Sequence, residues 1–200
     1  MAEFFTIPMI ITIALLAVMV ACPTLLLYKV AQRYPAAHPV PFFPQGVQGW
    51  LLLFVATVVL SIIVTLFNMS TLHTELVTEG AMNYALFMPH VIVLILYFYL
   101  LWIITCKRNA SVVKQTIVIL WVVGPISIAL LMAFFNTSFD TNNAIRSTFY
   151  ALVWTGYFLL SKRVACTYGT KAVDSYVKLA IQMAQAQKEQ AEREQKAKAK

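Results

Sequence analysis

Five apolar stretches of this chain carry no Asp, Glu, Lys or Arg near their middle, and that decides its architecture. A helix needs roughly 20 such residues to cross a hydrocarbon core of about 30 Å. Inside lipid no water satisfies the backbone, so stretches of this kind must be helical. They lie at about Phe4–Tyr28, Trp50–Met69, Tyr84–Cys106, Gln115–Phe135 and Ala144–Ser161. The expected fold is all-α: a polytopic integral membrane bundle of five transmembrane helices with a cytoplasmic C-terminal helix. At 60% hydrophobic and 12% charged residues, the composition departs from the soluble norm of about 25% charged.

Charge orients this bundle. Threading the five spans with the N-terminus outside puts fourteen of the fifteen Lys and Arg residues on the cytoplasmic side, and only Arg146 falls outside. Nine of the fifteen follow from Lys162 onward, so the positive field concentrates at the tail. Lys29 and Arg33 follow the first apolar run and none precede it, the reverse of a cleaved signal peptide. Net charge +7 comes without aromatic interleaving or a nucleic-acid motif, which points to anionic lipid headgroups and away from nucleic acid. Cys22, Cys106 and Cys166 map to the cytoplasmic half, lack CxxC spacing, and are expected as free thiols.

The chain divides into an N-terminal span (1–29), a cytoplasmic connector (30–47), a four-helix membrane domain (48–168) and a charged helical tail (169–200). Four prolines between Tyr34 and Pro44 exclude a regular helix there, and Phe42 and Phe43 are expected to dip into the interface. In the tail, Gly169 is a helix stop and Thr170 a cap. Val173, Val177, Ala180, Ile181 and Ala184 then form an apolar stripe. Beyond it, Glu189–Arg193, Glu192–Lys196 and Glu194–Lys198 are favourable i,i+4 pairs.

Chemistry inside the spans is sparse. Thr57, Ser61, Thr65 and Asn68 share one face of the second span, as helix-packing hydrogen bonders or as the wall of a hydroxyl-lined path. A mixed face on the fifth span, with Ser147, Tyr150, Ala151, Trp154 and Tyr157, is placed to meet it. His90 is the intramembrane imidazole, either satisfied by a neighbouring helix or pH-responsive. Gly124-Pro125 marks a kink, with Ser127 placed to rebond freed carbonyls. His73, Glu75 and Glu79 could hold a cation only if the outer loop were helical, and a solvated loop is the simpler expectation. No phosphate loop, nucleophile elbow or zinc motif is present, so neither an enzyme nor a cofactor or metal is expected.

The segment Gly46-Val-Gln-Gly-Trp-Leu-Leu-Leu-Phe54 resembles the Gly-Gly-Trp-Leu entry of a bacterial membrane family catalogued as domain of unknown function 2569. Trp154-Thr-Gly-Tyr-Phe-Leu-Leu-Ser-Lys-Arg-Val164 is similar to the end of that family's last span. Together these motifs bracket residues 45–168, and the resemblance implies four spans with both ends cytoplasmic. Gln48 stands where the family has the first paired glycine, and Ala165-Cys166 where it often has another basic residue. Gly49, Trp50, Trp154, Lys162 and Arg163 are expected as membrane-interface anchors. The functional expectation is an accessory subunit of the bacterial inner membrane, contacting lipid and a protein partner or a second copy. The alternative is a small transporter or channel along the second span.

Overall fold

The computed structural model describes residues 7–37, 40, 43–78, 87–130 and 141–198. Its elements are α1 (Ile7–Gln32), α2 (Trp50–Thr78), α3 (Met88–Cys106), α4 (Ala110–Trp121), α5 (Thr141–Leu160), α6 (Lys162–Tyr168) and α7 (Val173–Lys198). A π-turn at Val122–Ile126 continues α4, and no strand occurs among the described residues. Among the described residues, four segments are long and apolar enough to cross a membrane: Ile11–Gln32, Trp50–Thr74, Met88–Cys106 and Ala110–Leu130. Helix α5 has the length, but Asn142, Asn143, Arg146, Thr148 and its tyrosines lower its apolarity.

Two boundaries differ from the sequence reading. Helix α2 continues past Met69 to Thr78, through what reads as an outer loop, because its helix-forming potential does not end where its hydropathy does. Thr71 and Thr74 donate to the carbonyls of Asn68 and Ser70 in that extension. Helix α5 stops at Leu160. Ser161 turns extended (ψ 122°), accepts from the Val164 N–H at 3.4 Å, and so caps a separate short helix, α6.

Local chemistry sets the other junctions. Asn109 caps α4 by accepting from the Val112 N–H at 3.2 Å, which makes a tight α3–α4 hairpin with Lys107 and Arg108 at its turn. At the kink, Pro125 has no N–H to donate, and Ser127 Oγ donates to Val123 O and Gly124 O at 2.5 and 2.9 Å, as expected of a proline kink in lipid. Gly169 adopts the left-handed conformation (φ 67°), and the Gly169 and Thr170 N–H groups both donate to Ala165 O, a Schellman stop. Helix α7 begins at Val173, whose N–H donates to Thr170 O at 2.9 Å.

Lipid tails are as apolar as leucine, so these helices associate by close packing more than by leaving water. That packing is uneven. Leu51, Phe54 and Val55 of α2, Leu100, Ile103 and Ile104 of α3, Val112 of α4, Phe158 of α5 and Tyr168 of α6 are all fully buried, and all lie toward one end. Arg108 and the basic start of α6 lie at that same end. Helix α1 touches the bundle only through its second half, at Val20, Leu27 and Ala31, while every described residue from Ile11 to Met19 is exposed.

Candidate functional site: a cavity over a basic foot

Opposite the dense end, α2, α3, α4 and α5 enclose a cavity of about 620 Å³. Ser61, Thr65 and Asn68 line it, so three of the four residues in the polar stripe face this space. The fourth, Thr57, is dry glue: its hydroxyl lies 2.8 Å from the Tyr150 hydroxyl and donates to Phe54 O. Ser61 and Thr65 donate to Thr57 O and Ser61 O on their own helix. Tyr97 lies within hydrogen-bonding reach of Ser61.

His90 also lines the cavity, and its Nδ1 is buried with no hydrogen-bond partner among the described residues. Ser147 Oγ, on α5, is in the same condition. A Cβ built on Gly124 would come within 3.2 Å of that Ser147 oxygen, so glycine lets the kinked α4 approach α5 here. The expected meeting of the α2 and α5 faces therefore occurs, through Thr57–Tyr150 and through Phe54 against Trp154 and Phe158, with ring centroids 4.7 and 5.0 Å apart.

Trp154 is not an interface anchor. It is 7% exposed and sits in the core among Phe54, Tyr150 and Tyr157, because the bundle needs a large side chain where α5 crosses α2. Trp50, in contrast, is 68% exposed at the start of α2. Gly49 before it has φ +58°, and a Cβ there would lie 3.8 Å from the Arg163 guanidinium. The two sequence motifs at either end of the membrane domain thus touch. Lys162 lies 5.9 Å from the rings of both Phe43 and Tyr176, so Phe43 packs against the tail helix, 5.3 Å between ring centroids.

This basic foot is a hydrogen-bonded knot. Arg108 Nη1 donates to Ile104 O and Lys107 O at 2.7 and 3.1 Å, and Nη2 reaches across to Ala31 O of α1 at 3.1 Å. Its guanidinium sits 5.7 Å from the Tyr168 ring, whose hydroxyl donates to Ile104 O at 2.8 Å. Burial lowers the Arg108 guanidinium from its ordinary value, while burial raises the Tyr168 phenol against the pull of that cation. The connector docks on α6: the Ala37 N–H donates to Thr167 O, and the Gly46 N–H to Thr167 Oγ1 at 2.9 Å. Gln48 Nε2 donates to Tyr28 OH on α1 at 3.2 Å.

The helix that the cation reading at His73, Glu75 and Glu79 requires runs through His73 and Glu75 to Thr78, but the grouping itself falls outside the described residues. His73 faces the Phe87 ring at 6.3 Å, Glu79 lies outside the described residues, and the side chain of Glu75 is likewise undescribed. The tail pairs Glu189–Arg193, Glu192–Lys196 and Glu194–Lys198 also involve side chains outside those described. In the tail stripe, Val173 and Ala180 are buried but Val177 and Ile181 are exposed, because Tyr176 turns inward to meet Phe43.

An all-helical chain with four membrane-length apolar helices and an apolar outer surface defines a membrane protein of the α-helical class. A family model described as "Protein of unknown function (DUF2569)" matches residues 44–169, well over half the chain, and the chain belongs to that family. The match runs from the entry to α2 to the glycine that ends α6. Helix α1 and the tail lie outside it. Gln48, near the start of the match, reaches α1 through the Tyr28 hydroxyl. No curated protein and no solved structure matches the chain.

Proposed function

We propose that this chain is a non-enzymatic accessory subunit of the bacterial cytoplasmic membrane, with its N-terminus outside, five crossings and a cytoplasmic tail that engages a protein partner. The observation that carries the reading is the mounting of α7. Its Val173 and Ala180 are fixed against Val40 and Cys166. Val177, Leu179, Ile181 and Met183 stay exposed along the flanks of the same helix, beside Lys178. A rigidly aimed helix with free apolar flanks and a charged extension suits a docking arm better than a loose tether.

The fifth crossing is supported by the path of α5. It begins beside the cavity, which Asn143 and Ser147 line, and ends one residue before α6, whose Tyr168 bonds α3 at the opposite, basic end. Its 20 residues span about 30 Å. The threading then gathers Lys29, Arg33, Lys107, Arg108, Lys114 and the residues from Lys162 onward on the cytoplasmic face.

Photocrosslinking amino acids at Val177 and Ile181 in cells test the arm. Adducts to a discrete protein, lost when Gln185–Lys200 is deleted while membrane insertion persists, are the expected result. Adducts to lipid alone, or protein adducts unchanged by the truncation, would refute the reading. The transporter alternative is favoured by one observation, the exposure of Ser61, Thr65 and Asn68 to the cavity. Its test is reconstituted flux, which Ser61→Leu and Asn68→Leu must reduce.

A further inference from the structure

The cavity is independent of the tail, and its walls specify a guest. We infer that it binds an uncharged, largely apolar molecule bearing a hydroxyl or carbonyl oxygen, taken up sideways from the bilayer. Three observations lead there.

The volume comes first: about 620 Å³ lies in the middle of the range of pockets that hold drug-sized ligands, roughly 300–1,000 Å³. The second is the wall chemistry. None of the described lining residues is Asp, Glu, Lys or Arg. An ionised guest would be stripped of water without a counterion, at a cost of several kcal/mol. Most of the wall is aliphatic, with the polar atoms gathered on α2, on α5 and at His90.

Those polar atoms have defined capacities. Ser61 and Thr65 spend their protons on backbone carbonyls; Thr65 keeps its oxygen lone pairs to accept, while Ser61 has Tyr97 within reach of its oxygen. Ser147 Oγ and His90 Nδ1 are buried and unpaired among the described residues. A buried polar atom left unpaired loses its water without a replacement, so each is a standing attraction for a guest oxygen. A guest hydroxyl can donate to one and accept from another, and a carbonyl can accept from Ser147.

The third observation is the mouth. Ile92 of α3 and Leu130, beyond the kink, line the cavity yet are 53% and 49% exposed on the bundle's apolar flank. A guest entering between them comes from lipid. The opposite end is closed by Leu100 and the packed core, so the cavity is a blind pocket in this conformation.

The test uses the full chain in mild detergent. Dioctanoylglycerol and a short-chain benzoquinone carry the two oxygen chemistries, and dioctanoyl phosphatidic acid is the charged control. Titrations are read by tryptophan fluorescence, since Tyr150 of the cavity wall lies 6.1 Å from the Trp154 ring. Saturable binding of at least one neutral probe is expected, with the charged control at least tenfold weaker. Which neutral probe binds identifies the source as acylglycerol-like or quinone-like. Ser147→Ala should weaken binding about fivefold to tenfold by removing one hydrogen bond to the guest. Ser61→Phe should abolish it by filling the space, and if that variant does not fold, Ser147→Ala decides alone. The inference is overturned if neither neutral probe binds the folded protein saturably. It is equally overturned if the charged control binds as well, or if Ser147→Ala leaves affinity unchanged.

Discussion

Replacing Arg108 with methionine should release the end of α1 without unfolding the bundle, and the size of the effect follows from who else bonds its acceptors. Of the three carbonyls Arg108 reaches, only Ala31 O belongs to another helix. Ala31 O also accepts from the Tyr34 N–H at 3.2 Å, and Ile104 O keeps the Tyr168 hydroxyl. The substitution therefore orphans neither carbonyl, and the larger penalty for a stranded buried group does not apply. What is lost is one charge-assisted hydrogen bond between helices, about 1.5–3 kcal/mol when well desolvated. The guanidinium is half-buried and partly screened, which places the loss at or just below that low end, about 1.4 kcal/mol or tenfold in an opening equilibrium. Hydrogen exchange on the detergent-solubilised protein reads it directly. Amides from Tyr28 to Arg33 should exchange about tenfold faster, while those of α2 near Phe54 hold their protection. Arg108→Lys should resemble methionine more than wild type, because one ammonium cannot bridge Ile104 O and Ala31 O together. Unchanged protection at Tyr28–Arg33 in Arg108→Met would refute the clamp. Equal loss in every helix would show that Arg108 holds the fold and not the α1 junction.

Three further outcomes are expected. Gly49→Ala should cost about 1–2 kcal/mol in thermal stability, because φ is +58° while a Cβ has room beside Arg163; Gly49→Asn, which tolerates that conformation, should recover much of it. A double-mutant cycle of Thr57→Val and Tyr150→Phe should show a coupling of about 0.6 kcal/mol, measured by unfolding in mixed detergent, and additive effects would mean that the 2.8 Å contact contributes nothing. Cys166 is fully buried and its thiol is pushed up by that burial, so less of it is thiolate at any pH below its own value. Aqueous maleimide at pH 7.5 should label it far more slowly than a free thiol until α7 is removed from its contact, and rapid labelling of the intact chain would contradict the packing.

Hydropathy made most of the bundle legible, since the backbone constraint in lipid leaves little choice once a run is long enough. Ser127 at the Gly124-Pro125 kink was legible for the same reason: a proline frees a carbonyl, and a hydroxyl nearby is the cheapest donor. Helix α6 was not. Ser161 after an apolar run and Gly169 eight residues later are cap and stop signals, but the capping box lacks its Glu or Gln at the third position, and Lys162-Arg163 reads equally well as a span's basic end. Trp154 reads two ways in sequence, on the face that meets α2 and as an interface anchor, because hydropathy cannot separate an aromatic that fills a core from one that sits at the headgroups. Its burial against Phe54 fits the first. The cavity needs four helices at once: the α2 stripe, His90, Ser147 and Tyr150 are each legible as polar positions, but no sequence pattern gathers them around one space. Arg108 leaves no trace in sequence, because its distant partner is the backbone carbonyl of Ala31, 77 residues away.

The family match ends at residue 169, the left-handed glycine that closes α6. Helix α6 is keyed into the connector by Thr167 and into α3 by Tyr168, so the bearing on which the chain leaves the membrane domain is fixed before the tail's own residues begin. The junction behaves as a socket. Any helix spliced on after Gly169 would depart along the same line, whatever its length or charge, because its aim is set by the domain beneath.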